Sequence, residues 1–145
     1  LMRLLIKIIF TIAPFLYMGL IWILSSMPDN VVIQLSDEKL DGFFKESLHL
    51  IEFAILYILF IVALLVNKQL IFPLHIASAI VAIFYGFIDE IHQAFIPFRS
   101  ATLIDAIKDM IGVFVLAFIV HHTYFSHREN KISQLMHKVE RWVNL

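Results

Sequence analysis

Residues 47–95 read SLHLIEFAILYILFIVALLVNKQLIFPLHIASAIVAIFYGFIDEIHQAF, and this stretch decides the fold. From Ser47 to Val66 the chain is predominantly apolar. Asn67, Lys68 and Gln69 interrupt it, and a second apolar run follows from Leu70 to Phe95. Each run reaches the roughly 20 residues that a helix needs to cross the hydrocarbon core of a bilayer. A three-residue turn between them makes the two helices antiparallel neighbours.

The pattern repeats on both sides. Upstream, an apolar run from Leu4 or Ile8 to Leu24 lies behind Arg3 and Lys7, and Ser25, Ser26, Met27, Pro28, Asp29 and Asn30 end it. The run exceeds the roughly 7–15 residues of a signal-peptide core and no small-residue cleavage motif follows, so we expect a retained helix, kinked at Pro14. Downstream, Ile96, Pro97, Phe98, Arg99 and Ser100 break the chain before a fourth run from Leu103 to Val120. Val31 to Lys45 reads as an acid-leaning loop, part of it lying along the membrane interface.

Beyond His121 the pattern changes. Ile132, Leu135, Met136, Val139, Trp142 and Val143 recur at helical spacing, with Lys131, Lys138, Glu140 and Arg141 between them. That is the pattern of a helix lying on a membrane surface, or packed against another subunit. The expected fold is an all-α integral membrane protein. Residues 1–120 form a four-helix transmembrane bundle, and 121–145 carry a C-terminal amphipathic interfacial helix.

Composition agrees. Of 145 residues, 61% are hydrophobic and only 16% charged, and mean hydropathy is +0.88. Soluble domains run nearer 45–50% apolar and about a quarter charged, so a water-soluble enzyme and a disordered tail are excluded. A net charge of −1 offers no basic surface for phosphates, which excludes nucleic acid as a partner. The absence of cysteine removes disulfide, thiolate-catalytic and thiolate-metal chemistry.

Basic residues set the orientation. Arg3 and Lys7 precede the first run, and Arg128, Lys131, Lys138 and Arg141 follow the last; the intervening loops carry fewer, diluted by acids. Both termini are therefore expected in the cytoplasm, with multiple passes through the membrane and the lipid bilayer itself as the first partner.

Ionisable groups at membrane depth are costly and mark function by default. Lys45, His49 and Glu52 share one face at the start of the second run. Asp89, Glu90 and Gln93 close the third, with His92 on the flank opposite Glu90. Asp105, Lys108, Asp109 and Gly112 open the fourth. Antiparallel threading brings these segments to one level, together with Ser26 and Arg99, in the outer leaflet. Two plainer readings compete. Span-end charges such as Lys45, Glu46 and Lys108 mark the water boundary, and intramembrane polar pairs hold helices together at about 1 kcal/mol each. Against both stands the excess of acid, which leads us to expect some carboxyls to hold protons or to face a cation. Gly86 and Gly112 read as close-packing positions. His75, His121, His122, His127 and His137 read as interfacial. Trp142 suits a membrane boundary, and Trp22 suits a boundary or the core.

The stretch Asp89, Glu90, Gln93, Phe95, Pro97, Arg99, then Asp105, Asp109 and Gly112, resembles the signature of VanZ-like membrane proteins. That family carries D-E-x-x-Q, an aromatic, a proline and an arginine, then D-x-x-x-D-x-x-G. Ser25 to Pro28 resembles its S-x-x-P element. Lys45, His49 and Glu52 stand where it carries basic, histidine and acidic positions. Glu46, where a second base is usual, and Phe98, in place of the common glycine, depart from it. The resemblance covers roughly residues 20–116. It implies a place in the bacterial cytoplasmic membrane and a cell-envelope role linked to resistance to the glycopeptide teicoplanin.

The leading expectation is an outward-facing acidic chamber that binds an amphiphilic or lipid-linked envelope molecule. In it Arg99 grips an anionic headgroup by a forked contact, Gln93 orients it, and Lys45 and Ser26 complete the binding set. An intramembrane enzyme on such a lipid is the alternative. His49, Glu52, Asp89, Glu90, Asp105 and Asp109 would then supply acid and base. A divalent metal on His49, Glu52, Asp89 and Glu90 would be the conceivable cofactor. A structural or partner-binding subunit without ligand is the third reading.

Overall fold

The computed structural model describes residues 1–27, 38–97, 99, 103–126 and 130–144, and for 38–49 and 103 the backbone alone. Among these residues the chain is entirely helical. In order it forms α1 (Met2–Ser25), α2 (Glu38–Val66), α3 (Phe72–Gln93), α4 (Leu103–Val120), one π-helical turn (His121–Phe125) and α5 (Lys131–Asn144). Two helices, Met2–Ser25 and Phe72–Gln93, are long and apolar enough to cross a membrane, and Leu50–Val66 is a shorter apolar segment.

The elements follow from local chemistry. α1 runs unbroken through Pro14, which is buried. α3 starts behind an extended Ile71, with a proline in its first turn where a missing N–H costs nothing. Asn67, Lys68 and Gln69 do make the turn before it, and Lys68 takes a left-handed backbone (φ 56°). One expectation is corrected. Residues 38–45, read as loop, belong to α2, which begins at Glu38. Acidic Glu38 and Asp41 favour a helix N-terminus, and Leu40, Phe43 and Phe44 already keep a helical spacing.

Contacts fix the threading. The Tyr85 hydroxyl donates to Met18 O, 2.7 Å away, and the Trp22 ring stacks on His92 at 3.9 Å, so α1 and α3 run in the same direction. Gly86 of α3 lies against Asp109 of α4 and Phe53 of α2, while Phe72, at the other end of α3, meets His121 beyond the end of α4. α2 and α4 therefore run opposite to α1 and α3. The core between them is apolar and aromatic, built on Ile21, Phe53, Leu56, Tyr57, Ala82 and Val113.

One end of the bundle is closed by aromatics. Tyr57 and His75 are buried there, and the Tyr57 hydroxyl lies 2.9 Å from His75 Nδ1. Phe72, His121 and Phe125 surround the imidazole. This corrects the interfacial reading of His75, whose ring is a core element. α5 docks at the same end: Val143 is buried and the Asn144 amide donates to Val66 O at 3.1 Å. Asn67 there bonds Thr11 of α1 at 2.8 Å. The first nine residues of α1 thus extend roughly 13 Å past the end of α2, and α5 also packs on α1. Trp142 remains nearly half exposed.

Candidate functional site

The opposite end, where α1 and α3 finish and α4 begins, holds the polar residues. Asp89, Gln93 and Asp109 are 0%, 1% and 1% exposed, and Glu90 is 8% exposed. Each comes from a helix face set by spacing alone. Gly86, Asp89 and Gln93 form one stripe of α3, and a Cβ on Gly86 would already touch Asp109 and Phe53 at 3.4–3.5 Å. That stripe therefore looks into the space between α2 and α4. Glu90 and His92 leave α3 on opposite flanks, as their positions predict: His92 meets Trp22 of α1, and Glu90 turns towards Asp109 of α4.

A chain of hydrogen bonds runs through the cluster. The Gln93 amide donates to Asp89 Oδ2, and the Gln93 carbonyl accepts from Arg99 Nε at 3.1 Å. Arg99 Nη1 donates to two backbone carbonyls at the end of α1, Leu24 O at 2.8 Å and Met27 O at 2.9 Å. Arg99 thus caps α1, satisfying carbonyls that a helix end leaves orphaned. Asp89 Oδ1, by contrast, is fully buried with no hydrogen-bond partner among the described residues. Glu52, Glu90, Asp89 and Asp105 all lie near enough for their charges to act on Asp109, and Asp89 and Arg99 act likewise on Glu52. Lys108 is bonded within its own helix to Asp105, at 3.2 Å.

The sequence-derived set therefore converges in large part. Glu52, Asp89, Glu90, Gln93, Arg99, Asp105 and Asp109 meet at one end of the bundle. The side chains of Lys45 and His49 lie outside the described residues. Two of these residues are engaged within the protein. Arg99, expected to fork onto a headgroup, bonds Gln93 through Nε and the end of α1 through Nη1. Gln93, expected to orient a ligand, has both amide ends engaged and orients Asp89. Ser26 is also occupied: its hydroxyl donates to Trp22 O at 2.7 Å and lies 3.0 Å from His92 Nε2. With the serine proton committed, His92 is the donor of that bond through Nε2–H. Among the described residues no group of three His, Asp or Glu is placed to hold a metal ion.

No family model matches the chain, and no curated protein or solved structure matches it either.

Two further features were not read from sequence. An apolar groove of about 400 Å³ runs between α2 and α4. Leu50 and Gly112 line one end of it, and Leu59 and Leu116 the other. Gly112 shapes it, because a Cβ there would overlap the Leu50 carbonyl. The second is the Trp22–Ser26–His92 clamp. Residues 22 and 26 stand one helical turn apart, but nothing in the spacing joins them to His92; only the parallel course of α1 and α3 does.

Outside the apolar helices, the Tyr124 hydroxyl donates to Glu140 Oε2 at 3.3 Å, tying the π-helical turn to α5. Burial first, and then the Glu140 carboxylate, push this phenol from 10.0 up to about 12.

Proposed function

We propose that this chain is a multi-pass protein of the bacterial cytoplasmic membrane in which α1 to α4 all cross, both termini are cytoplasmic and the polar end faces outward. Its apolar exposure supports the reading. Leu5, Ile9, Phe15, Leu16 and Ile23 of α1, and Ile107, Ile111, Phe114 and Phe118 of α4, are exposed on the isolated chain. Contiguous apolar surface on this scale needs a partner, and a bilayer supplies one. The charges of α4 that lower its hydropathy, Asp105, Lys108 and Asp109, sit in its first two turns at the polar end.

Within that membrane the chain binds an amphiphilic or lipid-linked envelope molecule. One observation carries this reading: the Arg99–Gln93–Asp89 chain, with Asp89 and Gln93 buried and Glu52, Glu90 and Asp109 near them, lies at the same end of the bundle as the Leu50–Gly112 end of the apolar groove. Gly112, which lines the groove, stands one turn from Asp109 on the same stripe of α4. An alkyl chain in the groove would then carry its polar head towards the cluster, and the groove's volume is within the range of small-molecule sites. The resemblance of the segment around Asp89 to Gly112 to VanZ-like proteins favours an envelope role, with reduced access of a glycopeptide such as teicoplanin as the cellular outcome.

The test is the composition of co-purified lipid. Wild-type protein extracted in a mild detergent should carry one amphiphile enriched over the bulk membrane profile by mass spectrometry. Ile55→Trp, which fills the groove without touching the carboxylates, should lose it. A bulk-like profile in both proteins would overturn the binding reading. Chemical alteration of the enriched lipid with time would turn the binder into an enzyme.

A further inference from the structure

Which head group the polar cluster takes follows from what its groups have left to offer. Among the described residues five carboxylates, Glu52, Asp89, Glu90, Asp105 and Asp109, meet two cations, Arg99 and Lys108. Lys108 is bonded to Asp105, and Arg99 spends Nε and Nη1 on Gln93, Leu24 and Met27. An anionic head would meet the ionised carboxylates among the five with like charge, which disfavours it.

The open valence is an acceptor. Asp89 is 0% exposed, Gln93 fixes its Oδ2, and its Oδ1 has no partner among the described residues. It stands one turn from Gly86 on the stripe that faces Phe53 and Asp109, and its charge reaches both Glu52 and Tyr85. A buried carboxylate oxygen without a donor is strongly unfavourable, so a donor belongs there. Aromatic rings lie near the same stripe. Phe53 is fully buried beside Gly86, Tyr85 lies edge-on to it at 6.3 Å, and Tyr17 lies within reach of the Glu52 charge. Carboxylates interleaved with aromatic faces are the chemistry that holds an organic ammonium, through charge-assisted hydrogen bonds and cation–π attraction. A metal ion asks for several ligands converging at short distance, and the described side chains are not so placed.

We propose that the cluster recognises a primary ammonium, the head of a cationic or amine-bearing amphiphile whose alkyl chain lies in the α2–α4 groove. This rests on the binding reading above and adds the sign and class of the head group. Asp89 Oδ1 takes one ammonium proton, and the neighbouring carboxylates and the rings of Phe53 and Tyr85 surround the rest.

The experiment compares dodecylamine, dodecyl phosphate, dodecanol, free ethylamine and magnesium chloride as probes of the detergent-solubilised full chain, by equilibrium dialysis and thermal shift. Dodecylamine should bind at least about ten-fold tighter than dodecyl phosphate, the discrimination that like-charge juxtaposition enforces. Asp89→Asn should abolish that preference, and Phe53→Leu should weaken it. Because the wild-type series alone is decisive, a variant that fails to fold does not block the test. Tighter binding of dodecyl phosphate or dodecanol overturns the ammonium assignment while leaving the amphiphile site standing. Equal protection by magnesium overturns it in favour of a metal. Ethylamine binding as well as dodecylamine upholds the ammonium and removes the amphiphile. Binding of none of the five removes both.

Discussion

Gly112 shows how much a single atom decides. Its Cβ would overlap the Leu50 carbonyl oxygen, and backbone cannot swing aside as a flexible side chain can. Gly112→Ala should therefore push α2 from α4 and destabilise the protein by about 1–3 kcal/mol, the usual cost of overpacking. Thermal unfolding in detergent measures it. Gly19→Ala, which meets nothing within 4 Å, is the control and should leave the midpoint unchanged or slightly raised. An equal response at both positions would mean that α2 and α4 do not approach as described. Tyr57 and His75 form the second residue-scale case. Tyr57→Phe strands a buried imidazole nitrogen, a loss of about 1–3 kcal/mol. Adding His75→Phe should cost less than the sum of the two single changes, and a double-mutant cycle reads the difference. The sequence carried Gly86 and Gly112 as packing positions because small residues at helical spacing have few other uses in apolar helices. It did not carry His75, because an imidazole near a helix start looks the same whether it meets water or the Tyr57 hydroxyl.

At the scale of elements, periodicity was enough where hydrophobicity alternates with breakers. The α3 and α4 limits agree with the reading to within two residues, and so does the turn at 67–69. It failed where a helix carries charges: α2 begins at Glu38 because Asp41, Gly42 and Lys45 weaken the apolar signal without breaking the helix. The convergence of Glu52, Asp89, Glu90, Asp105 and Asp109 was legible, since antiparallel threading fixes depth. The partners of Arg99 were not, because Leu24 O and Met27 O are backbone atoms that no side-chain pattern announces. Arg99 is accordingly a positioning residue that joins the ends of α1 and α3. Arg99→Lys keeps the charge but loses the planar fork. It should lower the unfolding midpoint while retaining part of the selectivity for dodecylamine over dodecyl phosphate; complete loss of that selectivity at an unchanged midpoint would place the guanidinium on the ligand instead. α5 offers a pH-dependent case. Below pH 10 the Tyr124 phenol keeps its proton whether α5 is docked or released, so its contribution is complete. Between 10.0 and about 12 the released phenol ionises while the docked one does not, so rising pH costs docking stability across that window. Protease susceptibility of α5 should rise there, and Tyr124→Phe should flatten the rise.

For the whole molecule, the arrangement of ends is what the proposed function depends on. Trp22, Met27, His92 and Arg99 lie at the polar end, whereas Thr11, Asn67 and Asn144 meet at the other. A ligand arriving from the outer leaflet reaches the carboxylates only if the first of these ends faces outward. The chain has no cysteine, so each introduced one is a unique label site. Met27→Cys should react with a membrane-impermeant maleimide on intact cells. Gln69→Cys and Gln134→Cys, both at exposed positions of the opposite end, should react only after permeabilisation. Labelling of Met27→Cys and Gln69→Cys from the same side would mean that α2 does not cross, and the four-span arrangement would fall. Reversal of all three would keep the arrangement but turn the acidic cluster to the cytoplasm, where it meets inner-leaflet amphiphiles and has no route to affect a glycopeptide. Asp89→Asn and Asp109→Asn divide the two cases further. With the cluster outward, both should abolish teicoplanin tolerance at unchanged membrane abundance, because the ammonium site is lost while the hydrophobic packing that holds the helices is retained. Loss of the protein itself in both variants would instead assign the carboxylates to folding.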